Sequence, residues 1–485
     1  MGRRMHNMRP YMNVLNEEEI LLLHNESLRI LEEVGICFPS QEALAILKSG
    51  GAQVDEDRQV AFISKMMVEH ALATAPKQFV LGARNPAYDL TLPSLFTALN
   101  LDGMGVNTLD FQTGKRRSSV LQDIADAAKV FETIDQGYVL WPPVSASDVP
   151  TGARSIAGTG VSFLNCSKHI QDEVKDKREV PYVMEMVNAI LGDSGAVRDR
   201  KLYSATYCTL APLCHDQDMM EATMELSRFF APILIYPMPA CGTTGPASLH
   251  SNIAVANAEA LSALVLFQLT TPGVPLIYGA ALGIVNGRSG MFLEGAPETM
   301  LQMVAMCQMG KHYGLPTTSA GCLTDAKAPG MQAILEKAMT SLPLVLQGTD
   351  VLQGIGLVES SMSLSLEQMI IDSEIAAFCD RIKKGVCIDE DSMLMEDIKT
   401  VGHGGHYLKQ PNTRKAFRNG GFYVPELCDR NSYGEWDELG RPDLIDNARK
   451  KVSAVLAEDV KDPLPHTTQI IIEEIMDEAT RKLNE

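Results

Sequence analysis

Six aromatic side chains stand where a closed parallel sheet would gather them around a small cation. Aromatics are only 6% of the 485 residues, yet Tyr138, Trp141, Tyr203, Tyr207, Tyr236 and Tyr278 all fall in short apolar runs that read as strands. In 204–207, 233–236 and 275–278 the tyrosine sits at or near the C-terminal end of its run, and a turn rich in Gly, Pro, Ser or Thr follows. In a parallel barrel such strand ends converge on one mouth, where sites are built. An aromatic face attracts a cation that has no proton to donate, such as a quaternary ammonium. A buried tyrosine with a satisfied hydroxyl is also ordinary core. Recurrence at strand ends favours the site, with Trp141, Tyr207, Tyr236 and Tyr278 as its cage.

Other reactive residues sort by chemistry. Arg288, in the loop Gly287-Arg288-Ser289-Gly290, could clamp a carboxylate with its planar fork. Cys241-Gly242-Thr243-Thr244-Gly245-Pro246 could hold an anion on its amides, but it lacks the lysine of a phosphate-binding P-loop. His403 and His406 lie on a glycine-rich segment without zinc-helix spacing. Cys208, Cys214 and His215 include no CxxC pair, so no metal site is expected. Lys327 follows the seventh strand-like run, where a Schiff-base lysine would serve a lyase or aldolase; Asp325 beside it makes a salt bridge the better reading.

These residues need a scaffold. Eight β-rich runs, 96–101, 138–141, 161–165, 202–207, 233–236, 275–278, 316–320 and 351–356, alternate for the most part with segments of helical periodicity. Alternation of this kind implies right-handed βαβ units, and eight of them predict an α/β fold, a (β/α)8 TIM-type barrel over 96–385. A doubly wound open sheet would need a GxGxxG turn after its first strand, and none opens a helix there. Residues 1–95 read as mainly helical, with a small hairpin from 78–81 and 88–92, and 386–485 as a helical cap.

Composition limits partners. With 42 basic and 61 acidic residues the net charge is -19, a surface that repels nucleic acid. Residues 1–13 show neither a signal-peptide core nor a myristoylation motif, and apolar stretches such as 260–269 read as too short for a bilayer span. Ten cysteines without framework spacing suit reduced thiols in a cytoplasmic protein.

The order of several segments resembles the trimethylamine methyltransferase superfamily, in particular its members without pyrrolysine. The resemblance rests on Leu109-Asp110-Phe111-Gln112-Thr113-Gly114-Lys115-Arg116-Arg117, Asn165-Cys166-Ser167-Lys168 and 236–246. It continues through Gly287-Arg288-Ser289-Gly290, Gly295-Ala296-Pro297-Glu298, 324–327, Asp372-Ser373-Glu374-Ile375, 405–408 and 428–436, almost the whole chain. It implies a barrel enzyme that moves a methyl group from a quaternary amine (glycine betaine, proline betaine, carnitine or γ-butyrobetaine) to the cobalt(I) of a corrinoid (cobalamin) on a cognate partner protein. No cofactor would then be bound tightly by this chain itself, and a homo-oligomer is expected. A non-catalytic betaine-binding sensor is the alternative outside enzymology. A betaine carries a carboxylate, for which Arg288 is the first candidate, with Lys168 and His169, after the third run, as alternatives. The leaving group would be a neutral tertiary amine, so no Lewis acid is expected.

Overall fold

The computed structural model describes residues 12–192, 197–386, 388, 390–418 and 420–484. The leader reading of 1–13 therefore falls largely outside the described residues, as do Cys387 and Asn419. The first described helix, Glu17–Arg29, carries three glutamates in its first turn, where the helix dipole favours negative charge. Asn16 Oδ1 accepts from the Glu19 amide at 3.0 Å while Glu19 Oε2 accepts from the Asn16 amide at 2.8 Å, a reciprocal cap. The N-terminal region is less helical than expected. Strands Ile36–Cys37, Gln53–Asp55 and Val60–Phe62 form an antiparallel sheet among its helices. The expected hairpin is formed by Phe79–Leu81 and Leu90–Leu92.

A closed barrel of eight parallel strands follows: β1 Ala98–Asn100, β2 Gly137–Leu140, β3 His169–Asp172, β4 Tyr203–Cys208, β5 Ile233–Tyr236, β6 Leu276–Ala280, β7 Thr317–Ala320 and β8 Val351–Gln353. Each pairs with its sequence neighbour and β8 closes on β1. The main helix after each strand is, in order, α1 Leu121–Glu132, α2 Arg154–Asn165, α3 Val180–Leu191, α4 Gln217–Ser227, α5 Leu249–Thr270, α6 Pro297–His312, α7 Met331–Gln347 and α8 Leu366–Lys383. Their ends follow local chemistry. Asp216 and Ser365 cap α4 and α8, Pro297 opens α6, and Gly348 closes α7 in the left-handed region.

One strand differs from expectation. Residues 161–165 are the last turns of α2, and the third strand starts at His169. A short apolar run with Val and Phe fits a buried helix as well as a strand. Tertiary packing favours the helix here: Gly160 brings it close to the C-terminal helix His466–Lys482, and a Cβ at that position would lie 2.5 Å from Met476 Sδ, which would have to move aside.

The apolar segment at 249–270 also differs. It forms a single 22-residue helix, long and apolar enough to cross a membrane by length and composition, yet almost wholly buried. It contacts the helices Glu17–Arg29 and Lys65–Thr74 on its outer side and β5 and β6 on its inner side. Burial on all sides explains why it lacks a polar face. At the other end of the chain, Leu444–Ala457 packs on α8 and His466–Lys482 on α2 and α3.

Strand-to-helix connections build two small sheets. Ala240–Cys241 pairs with Gly283–Val285, which pairs with Phe292–Leu293. Asn107–Leu109, Arg116–Ser118, Leu357–Val358 and Ser363–Leu364 form the second. All these segments follow the C-terminal ends of barrel strands, so they rim the mouth.

Candidate functional site

The parallel register divides the three tyrosine cage candidates into two sets. Tyr207 pairs with Ile235, and Ile235 with Tyr278, whereas Cys208 pairs with Tyr236. Successive residues of a strand face opposite sides, so Tyr207 and Tyr278 share one face of the sheet and Tyr236 takes the other. The contacts identify each face. Tyr207 shares a 2.6 Å hydrogen bond with His215 Nδ1 and packs edge-on to Phe267 of α5 at 4.9 Å. Tyr278 donates to Asn257 Oδ1 of α5 at 2.6 Å and packs against Tyr313. Both rings are therefore core between barrel and helices, a correction to the four-membered cage.

Tyr236 faces inward. It borders a cavity of about 250 Å³ at the C-terminal ends of the strands, with Asp102, Met104, Met238, Phe292, Glu294 and Leu323 among the other walls. Trp141 stands behind it, edge-on, with ring centroids 6.3 Å apart, and donates from Nε1 to Asp172 Oδ1 at 3.1 Å. Its indole covers Gly103, where a Cβ would lie 2.2 Å from the ring, so only glycine permits this approach. Tyr236 and Trp141 thus remain at the mouth, Tyr236 on the cavity and Trp141 supporting it.

The two carboxyl groups that line this cavity, Asp102 and Glu294, escaped the sequence reading, as did Glu173, which acts on Asp102 from outside the lining. Asp102 follows β1, Glu173 follows β3, and Glu294 ends the rim strand Phe292–Leu293. Burial pushes the Asp102 carboxyl up to about 7, with Glu173 adding to the rise, and the Glu294 carboxyl up to about 8, with Asp102 and Asp325 adding to it. Asp102 Oδ1 and the Tyr236 hydroxyl are buried without a hydrogen-bond partner among the described residues. Glu294 Oε2 accepts from Ser361 Oγ at 2.7 Å. Asp325 fixes its backbone, accepting from the Glu294 amide at 2.9 Å and the Gly295 amide at 3.2 Å. The loop 323–330 therefore works as a brace for Glu294. Glu173 accepts from Cys208 Sγ at 3.5 Å and is paired with Lys175 at 3.1 Å. A position just after a barrel strand was the available signal for Asp102 and Glu173.

The cationic candidates are placed differently from expectation. With β3 starting at His169, Lys168 precedes the strand and His169 begins it, so both lie at the end of the barrel opposite the mouth instead of following the strand. Lys168 Nζ donates to the carbonyls of Phe131 at 2.9 Å and Ile134 at 2.6 Å, and burial lowers it to about 8. His169 Nδ1 donates to the Gly82 carbonyl at 2.8 Å, leaving Nε2 to accept from Ser204 Oγ at 2.8 Å, and burial lowers it to about 4. Both are structural. Arg288 is exposed on the turn between Gly283–Val285 and Phe292–Leu293.

Lys327 is also exposed, its ammonium donating to the Asp325 carbonyl at 2.5 Å. The expected side-chain salt bridge is thus a contact to the backbone. The buried lysine of this region is Lys337, which donates to Asp372 Oδ2 at 2.8 Å and to the carbonyls of Cys322 and Gly354. Those contacts occupy all three ammonium donors and hold the charged form, which is unsuited to imine chemistry. His215 uses both ring nitrogens, with Tyr207 and with Ser262, and His403 and His406 are exposed.

The whole arrangement is a small acidic chamber with an aromatic wall. The profile described as Trimethylamine methyltransferase (MTTB) matches residues 1–484. The chain is 29% identical over 467 residues to the trimethylamine methyltransferase MttB of Desulfitobacterium hafniense (strain DSM 10664 / DCB-2), covering 96% of this chain and 94% of that one. It is 32% identical over 429 residues to the glycine betaine methyltransferase of Desulfitobacterium hafniense (strain Y51), covering 88% and 89%. To the trimethylamine methyltransferase MttB of Methanosarcina thermophila it is 32% identical over 451 residues, covering 92% and 93%. Among solved structures, the monomethylamine methyltransferase (MtmB) of Methanosarcina barkeri aligns with a TM-score of 0.48 at 11% identity, covering 96% and 91%.

Proposed function

The chain belongs to the trimethylamine methyltransferase family, and we propose that it transfers a methyl group from a quaternary ammonium compound to the cobalt(I) of a corrinoid carried by a separate partner protein. The observation that supports this most is the pair Asp102 and Glu294, both facing one 250 Å³ chamber and both raised by burial. A bound cation supplies the charge that this pair lacks. Tyr236 and Phe292 add ring surface at the same walls, a few tenths to about 2 kcal/mol per good cation–π contact.

The chemistry asks little of the protein. The cobalt nucleophile attacks the methyl carbon as the C–N bond breaks, and the bonding pair leaves with nitrogen as a neutral tertiary amine. No proton moves and no Lewis acid is needed. The residues have to strip water from the ammonium, hold it in line and leave the mouth open to the corrinoid. The lyase alternative loses its nucleophile, since Lys327 is exposed and Lys337 is tied to Asp372. A homo-oligomer remains part of the proposal, supported by exposed Met331, Leu335 and Met339 at helical spacing on α7.

Anaerobic incubation with reduced cobalamin, or with corrinoid protein from the same cell, and a panel of quaternary amines tests the proposal. Substrate-dependent conversion of cob(I)alamin to methylcobalamin, followed by absorbance and unaffected by a chelator, is the expected result. Binding without any methyl transfer across the panel would favour the sensor reading instead.

A further inference from the structure

The chamber's charges bear on which quaternary amine it takes. Its walls carry two carboxyl groups, Asp102 and Glu294, and no lysine or arginine. The buried cation that acts on both carboxyls, Lys337, spends its donors on Asp372 and two carbonyls, and Lys175, outside the lining, is paired with Glu173. Two polar atoms of residues that line the chamber are fully buried and without a hydrogen-bond partner among the described residues: Asp102 Oδ1, an acceptor, and the Tyr236 hydroxyl, a donor and acceptor. A space of about 250 Å³ lies below the range of drug-sized pockets, so both ends of a small substrate would stay close to the acidic pair.

Resting on the methyl-transfer reading above, we propose that this chamber selects a quaternary ammonium whose tail is a neutral hydrogen-bonding group, such as a hydroxyalkyl, and rejects the carboxylate-bearing betaines. A carboxylate held in so small a space would meet Asp102 or Glu294 at short range, where like charges disfavour each other strongly in a desolvated site. A hydroxyl instead donates to Asp102 Oδ1 and accepts from Tyr236, satisfying two groups that are otherwise buried without a partner. Phe292 and Tyr236 then face the methyl groups. Asp102 and Glu294 are specificity-determining in this arrangement, because they act on the tail as well as on the head.

Calorimetric titration with choline, glycine betaine and tetramethylammonium at pH 8 tests this. Choline is expected to bind at least tenfold more tightly than glycine betaine, with tetramethylammonium between them. Asp102→Asn and Glu294→Gln should each shrink the choline-to-betaine ratio at least threefold, with thermal melting as the check on folding. The wild-type ratio decides the matter even if a variant unfolds. Glycine betaine binding as tightly as choline, or more so, overturns the inference while leaving methyl transfer intact. Failure of all three ligands to bind would overturn the methyl-transfer reading and this one with it.

Discussion

Tyr207 and Tyr236 lie one register step apart on adjacent strands, β4 and β5, yet they face opposite sides of the barrel wall. Tyr207 pairs in register with Ile235 and reaches outward to His215, whereas Tyr236 pairs with Cys208 and reaches the acidic chamber. Two tyrosines at the ends of neighbouring strands thus have unrelated tasks, and alternation along a strand is the cause.

Substitution should separate those tasks. Tyr207→Phe leaves the buried His215 Nδ1 without its partner, and Tyr278→Phe does the same to Asn257 Oδ1. Each is expected to destabilise the fold by about 1–3 kcal/mol, measured by chemical denaturation, while ligand affinity stays within twofold. Tyr236→Leu is expected to show the reverse, with affinity for a quaternary ammonium falling about tenfold or more for a modest change in stability. A normal affinity in Tyr236→Leu would remove the chamber as the binding site.

The raised carboxyls set a pH dependence of definite sign. Unfolded Asp and Glu titrate near 3.9 and 4.3, and in the fold Asp102 is held near 7 and Glu294 near 8. Between these limits the native state keeps protons that the unfolded chain has lost. Their contribution to stability therefore declines as pH rises from about 4 through about 8. Binding of a permanent cation runs the other way, since it favours the ionised forms. Affinity should rise from pH 6 to pH 9, with proton release on binding near neutrality, visible in buffers of different ionisation enthalpy. Glu173, Asp325 and Lys337 also act on this pair, so single variants should shift the profile without abolishing it.

Lys337 and Asp372 form an ion pair with both side chains fully buried, joining α7 to α8 beneath the mouth. Removing one partner strands a charge in the interior. Asp372→Ala is expected to destabilise by about 3–5 kcal/mol, and a Lys337→Met, Asp372→Leu double variant should recover much of that loss. Equal destabilisation by the single and double variants would indicate that packing, not the unpaired charge, dominates. Borohydride should trap no carbonyl compound on Lys337.

The barrel was legible because seven of its strands are β-rich runs bounded by turn residues, as at 233–236 and 275–278. The third strand was not, because Val161 to Leu164 suit a buried helix and the true strand, His-Ile-Gln-Asp, lines a polar barrel interior. That shift moved Lys168 and His169 to the opposite end of the barrel. The site was half legible. Strand-end position brings Trp141 and Tyr236 to the mouth, but without a register it could not tell inward from outward, so Tyr207 and Tyr278 were included. Asp102 and Glu294 carry no local motif; only folding brings residues 192 positions apart onto one cavity.

Arg288 provides the last test, because the sequence and the chamber give it different work. As a carboxylate clamp, Arg288→Ala would weaken a betaine by about one to two decades and spare choline. Its position on an exposed turn, outside a chamber whose walls hold no basic residue, predicts otherwise. Both ligands should change together and by less than about twofold, the range expected for an exposed substitution. The turn nevertheless connects to Phe292 and Glu294, which do border the chamber. A variant that stiffens or shortens 286–291 should therefore alter affinity for every ligand alike. Selective loss of betaine binding in Arg288→Ala would place the arginine over the chamber in the bound state and return the carboxylate clamp to it.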